Sequence, residues 1–103
     1  MTKKPAAEKA DRILGFCWFR REDYDRARSL MADPEILFDT WEEWFTAARK
    51  IEREVTERGE KVVRIRFDLA AFMLWCVGHD RLPDEKARAA WAADAAKRKF
   101  GHR

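Results

Sequence analysis

The stretch from Lys61 to Gly78, KVVRIRFDLAAFMLWCVG, constrains the fold most, because its apolar residues change period halfway along. Val63, Ile65 and Phe67 fall on one side of an extended chain and Val62, Arg64 and Arg66 on the other. That alternation marks a half-buried strand with one core face and one cationic face. Asp68 then stands where a helix needs its N-cap, and Leu69, Phe72, Met73 and Cys76 follow at i, i+3, i+4 and i+7. Ala70, Leu74, Trp75 and Val77 fill most of the remaining circumference, so this helix is expected to be covered on several sides. It is far shorter than the roughly 20 apolar residues that cross a bilayer, so its cover must come from this chain or a partner chain.

The rest of the chain supplies candidates for that cover. Arg12 to Phe19, RILGFCWF, reads as a strand with Ile13, Gly15, Cys17 and Phe19 on one face and Leu14, Phe16 and Trp18 on the other. Both faces are apolar, which predicts a strand covered on two sides, with Gly15 marking either a close helix approach or a bulge. Arg20 to Ala32 takes helical spacing through Tyr24, Ala27, Leu30 and Met31, and Asp33-Pro34 ends it. Ile36, Leu37 and Phe38 are expected to tuck under the next helix. Thr40 and Glu43 have capping-box spacing, and Trp41, Trp44, Phe45, Ala48, Ile51 and Val55 form one stripe that stops at Gly59. Gly78 is expected to end the following helix in the same way. Pro83, Asp84 and Glu85 open a last helix with a narrow stripe of Ala87, Trp91 and Ala95.

The predicted order is strand, helix, helix, strand, helix, helix, an α+β fold with a small two-stranded sheet. Two helices between the strands, one running back and one forward, predict antiparallel strands, whereas a long loop would allow parallel ones. Such a sheet is marginal alone and leaves open edges, so pairing between two chains is a natural expectation.

Composition matters chiefly through the distribution of charge. The chain of 103 residues carries a formal charge of +3. Residues 1–12 hold four basic and two acidic side chains and residues 97–103 hold four basic ones, which leaves 14 basic against 17 acidic in between. The basicity therefore belongs to the ends. Residues 1–11 read as a flexible basic arm, 12–96 as one domain, and 97–103 as a basic tail. Five Trp and seven Phe argue against disorder. MTKKPAAEKADR is not followed by a signal-like apolar run, so a cytoplasmic location with reduced Cys17 and Cys76 is expected.

Chemical motifs are sparse. Cys76 and His79 have C-x-x-H spacing, with Cys17 and His102 as further donors, but zinc needs three or four converging ligands and these are scattered. A thiol enzyme built on Cys17 or Cys76 with His79 and Asp80 would need an exposed, activated thiolate. No metal, cofactor or catalytic residue is predicted. Trp41, Trp44 and Trp75 belong to helical stripes, whereas Trp18 and Trp91 are less determined. Lys61, Arg64 and Arg66, with Trp18 and Trp91, are the candidate positions for contact with a partner; a solvated face that discourages aggregation is the plainer reading of the three cations. Lys97, Arg98, Lys99 and Arg103 are candidates for nucleic-acid contact through counterion release, although no base-reading motif accompanies them. The expected function is that of a small non-enzymatic protein-interaction module that binds another protein or, as a homodimer, a second copy of itself, through a sheet edge or the charged strand face around Arg64 and Arg66, with no membrane partner. A nucleic-acid-associated regulator acting through basic ends is the alternative.

Residues 13–95 also carry a pattern: GFCWF on the first strand, Asp33-Pro34, T-W-E-E-W at Thr40 to Trp44, D-x-x-x-F-x-x-W-C from Asp68 to Cys76, and A-R-A-A-W at Ala87 to Trp91. It resembles a group of small bacterial proteins of uncharacterised function. The resemblance implies a bacterial cytoplasmic origin and brings no activity or catalytic residue with it.

Overall fold

A computed structural model describes residues 13–100. The elements are β1 (Ile13–Trp18), α1 (Arg21–Ser29), a 3₁₀ turn (Pro34–Ile36), α2 (Trp41–Glu57), β2 (Lys61–Arg66), α3 (Leu69–Gly78) and α4 (Glu85–Phe100). Local chemistry accounts for most boundaries. The Thr40 hydroxyl accepts from Glu43 N–H at 3.1 Å, and the Asp68 carboxylate accepts from Ala71 N–H at 3.0 Å, each satisfying a first-turn donor that the helix leaves free. Gly59, at φ 93°, takes the left-handed turn after α2. After α3 that conformation falls to Asp80, at φ 56°, while Gly78 remains inside the helix.

β1 and β2 are parallel, with Ile13 opposite Lys61 and Trp18 opposite Arg66, which corrects the antiparallel expectation. The reason lies in the two intervening helices. α1 has only nine residues and packs on α2 through Tyr24 and Trp44, whose ring centroids are 6.1 Å apart, instead of retracing β1. The return is made by α2 alone. Its 17 residues rise roughly 25 Å, enough to run back past a six-residue strand, so β2 starts at the same end as β1.

The helices cover opposite faces of the sheet. On the face of Leu14, Phe16 and Trp18, α2 brings Trp44 to 5.1 Å and Phe45 to 6.0 Å from Trp18, measured between ring centroids. On the face of Ile13, Gly15 and Cys17, α4 lies so close that a Cβ on Gly15 would meet the Ala92 carbonyl oxygen at 2.4 Å. Gly15 therefore marks a close approach and not a bulge. α3 packs beside α4 through Phe72 and Trp91, and Trp75 donates its indole N–H to Asp94 at 3.2 Å.

Phe19 and Phe67, each just past a strand, join the two sides of the core at 4.9 Å, with Trp44 beside Phe19 and Trp91 beside Phe67. Edge-to-face and tilted contacts of this kind add about 0.5–1.5 kcal/mol per pair beyond the buried area. A long-range clamp closes the globule. Asp33, after α1, accepts from Glu85 N–H at 2.8 Å and from the guanidinium of buried Arg88 at 3.0 Å, an ion pair largely removed from solvent.

Some apolar residues depart from the expected cover. Leu74 and Val77 on α3 are 74% and 79% exposed, so α3 is packed on one side only. Ile51 lies half outside the α2 stripe, and of the Ile36–Phe38 link only Leu37 packs against the core. The expected arm at 1–11 lies outside the described residues. Lys97 to Lys99, expected in a tail, form the last turn of α4, and 101–103 lie outside the described residues.

Candidate functional site

The two strands leave different things open. In a parallel ladder alternate residues bond to the same neighbour. Phe67 N–H donates to the Trp18 carbonyl at 2.9 Å, which fixes the phase: Leu14, Phe16 and Trp18 bond towards β2, and the main-chain groups of Ile13, Gly15 and Cys17 point to the outer edge of β1. By the same alternation, the main-chain groups of Val62, Arg64 and Arg66 point to the outer edge of β2. No third strand pairs with either edge among the described residues.

β1 is the apolar edge. All six of its residues are partly exposed, and none is charged. Gly15 is informative because it consists only of main chain. Its Cβ direction is closed by Ala92 and Ala96, yet it still reaches solvent, so its exposed surface is backbone. On the α2 face, Leu14 and Phe16 are partly exposed and lie outside the core cluster, since α2 is centred on β2 and on Trp18. The sequence pattern assigns Leu14 and Phe16 to a covered face; the signal for their real position is a strand that is apolar on both sides.

β2 is the cationic edge. Lys61, Arg64 and Arg66 are all exposed. Arg64 is engaged within the chain: its guanidinium donates twice to Glu52, at 2.8 and 2.9 Å, and lies 3.9 Å from the Trp18 ring centroid. The hydrogen bond from Arg64 holds the Glu52 carboxyl below its ordinary range. Trp18 thus sits between Arg64 and the aromatic pair Trp44 and Phe45. Trp91 is 5% exposed and packs on Phe67 and Phe72, so it supports the core and offers no surface. Lys97, Arg98 and Lys99 are exposed, and Arg98 is paired with Asp94 at 3.0 Å. Arg103 lies outside the described residues.

At the carboxyl ends of the strands a crevice of about 430 Å³ opens between α1 and the start of α3, lined by Arg20, Asp23 and Arg26 on one side and by Arg66, Asp68 and Leu69 on the other. Beyond α3, Leu82 is 68% exposed and lines a shallow groove with Val77.

The thiols stand in surroundings that disfavour the thiolate. Both cysteines are free. Burial pushes the Cys17 thiol up to about 12, against a smaller opposing pull from Arg88, and burial, with Asp84 adding to it, also raises Cys76. His79 turns Nδ1 to the Trp75 carbonyl at 2.8 Å and stacks its ring on Trp75. Among the described residues no group of three or more His, Cys, Asp or Glu is placed to hold a metal ion, and no helix is long and apolar enough to cross a membrane.

These features define an α+β chain with a two-stranded parallel sheet between two helical pairs, an apolar edge on one strand and a cationic edge on the other. No protein family model, curated protein or solved structure matches it.

Proposed function

We propose that this chain is a non-enzymatic interaction module whose first partner is a second copy of itself, joined through the outer edge of β1. The observation that carries the reading is an uncharged, apolar strand with its main chain open at the edge and Leu14 and Phe16 partly exposed beside it. Antiparallel pairing of β1 with its twin about Gly15 sets Ile13 against Cys17 and Leu14 against Phe16 of the other copy, and makes one four-stranded sheet. A two-fold interface presents the same patch twice, so a patch without charge meets itself without repulsion. The β2 edge does not, because Lys61, Arg64 and Arg66 would face their own copies. Three or more strands also reach the size at which a sheet is independently stable. A reducing cytoplasm suits two free, buried-type thiols.

Sedimentation velocity across a range of concentrations tests the reading. The wild-type chain is expected to sediment as a dimer that dissociates on dilution. Phe16→Lys, at a position outside the core, is expected to be monomeric with an unchanged far-UV spectrum. Leu74→Lys with Val77→Lys removes the other apolar surface and is expected to leave the dimer intact. A dimer that survives Phe16→Lys but is lost in the α3 double variant refutes the edge and moves the interface to α3.

The nucleic-acid reading rests on Lys97 and Lys99, exposed on the last turn of α4. Salt-sensitive oligonucleotide binding that disappears in Lys97→Glu with Lys99→Glu would favour it.

A further inference from the structure

The connections that leave the two strands go to opposite faces of the sheet: β1 leads to α1 and α2, and β2 leads to α3 and α4. Where neighbouring parallel strands send their helices to opposite sides, a crevice opens outside the strand carboxyl ends, and open α/β sheets bind ligands there. This chain has such a crevice, and its volume of about 430 Å³ lies in the roughly 300–1,000 Å³ range of small-molecule sites. The helix starts themselves are not the attraction. Glu22 and Asp23 already occupy the first turn of α1, and Asp68 caps α3.

The attraction is a pair of arginines. Arg20 is spent on Asp23 at 2.9 Å and Glu22 at 3.5 Å. Among the described residues, the guanidinium groups of Arg26 and Arg66 have no hydrogen-bond or ion-pair partner, and both line the crevice. Of the carboxylates nearby, Asp23 is paired with Arg20, whereas Asp68 caps the Ala71 amide with one oxygen and keeps its charge, so an anion there needs both arginines. Two unpaired planar forks that line one opening from different elements suit a tetrahedral oxyanion, which a guanidinium can grip with two donors. We propose that this crevice binds the phosphate group of a small phosphorylated molecule, held between Arg26 and Arg66. The site is independent of the β1 edge, since it lies at the carboxyl ends of the strands and involves no edge main chain of β1.

The test uses the full chain, with inorganic phosphate, glycerol phosphate and a short single-stranded oligonucleotide as probes at an ionic strength fixed by chloride. Two-dimensional NMR is expected to show saturable shifts at the Asp68 and Leu69 amides and at the Arg26 and Arg66 side chains, with glycerol phosphate binding at least as well as phosphate. Arg26→Ala or Arg66→Ala alone is expected to weaken binding about tenfold or more, as loss of a charged hydrogen-bond pair does, and the two together to abolish it. Arg26→Lys keeps the charge, loses the fork and should fall between. All variants should melt as the wild type does without ligand. The proposal is overturned if no probe gives saturable shifts, if the double alanine variant binds as the wild type does, or if the oligonucleotide occupies the crevice more tightly than glycerol phosphate.

Discussion

Gly15→Ala is the sharpest perturbation of the seat between α4 and β1. A Cβ there would lie 2.4 Å from the Ala92 carbonyl oxygen, 2.8 Å from Ala96 Cβ and 3.0 Å from the Ala92 carbonyl carbon. Ordinary carbon contacts are about 3.5–4.0 Å, so α4 must retreat by roughly 1 Å at Ala92. That retreat cannot be local, because Trp91, Ala92, Ala95 and Ala96 all lie in the core. Overpacking of this kind costs about 1–3 kcal/mol, and removal of a glycine from a strand interior returns about 0.5–1 kcal/mol. Because the closest atom is main chain and cannot turn aside, the cost falls at the upper end, about 3 kcal/mol, and the net expectation is a loss of about 2 kcal/mol. Urea unfolding followed by tryptophan fluorescence reads it, at one fixed protein concentration, since self-association moves the midpoint. Ala96→Gly removes the 2.8 Å contact but should not restore full stability, because the closest atom is the Ala92 carbonyl oxygen. Gly78→Ala is the control: nothing lies within 4 Å of its added Cβ and the site is helical, so it should be neutral or stabilise by about 0.5 kcal/mol. If Gly15→Ala is as stable as the wild type, the close seating of α4 on β1 is wrong.

Asp33→Ala leaves Arg88 buried without its counter-charge and removes a bond to Glu85 N–H, so a loss of about 3–5 kcal/mol is expected in the same denaturant assay. The Glu52 and Arg64 pair is partly exposed, and Glu52→Gln should cost less than about 1 kcal/mol. Because the folded Glu52 is more acidic than the unfolded one, its contribution is present above the unfolded carboxyl range and fades as pH falls through the folded value, which a pH series on wild type and variant would show. Cys17 acts in the opposite direction. Its folded thiol keeps its proton to about 12, whereas the unfolded one releases it from about 9, so stability should fall as pH rises between those values, by at most about 1.4 kcal/mol per pH unit. Cys17→Ala should flatten that alkaline limb, and both thiols should label at pH 8 only after denaturation.

Periodicity alone makes most of the elements legible in the sequence. The switch from period 2 to helical spacing at Asp68, the Thr40 cap and the glycine after α2 rest on neighbours in sequence, and they appear where such chemistry puts them. Strand direction is not legible, because it depends on α1 swinging aside onto α2, which no local pattern encodes. The Asp33–Arg88 clamp joins residues far apart in sequence, and the crevice gathers Arg26 and Arg66 from separate elements, so neither has a motif. Apolar spacing also says which faces want cover without saying what covers them. Leu14 and Phe16 on β1, and Leu74 and Val77 on α3, read as core and stand partly or largely in solvent.

Residue-resolved hydrogen exchange as a function of protein concentration tests the β1 edge most directly. The amides of Phe16 and Trp18 point to β2 and should be protected at every concentration. Those of Gly15 and Cys17 point outward, and their exchange should slow as concentration rises and the second copy binds. Concentration-independent exchange at Gly15 and Cys17, under conditions where the chain is dimeric, would contradict pairing through β1.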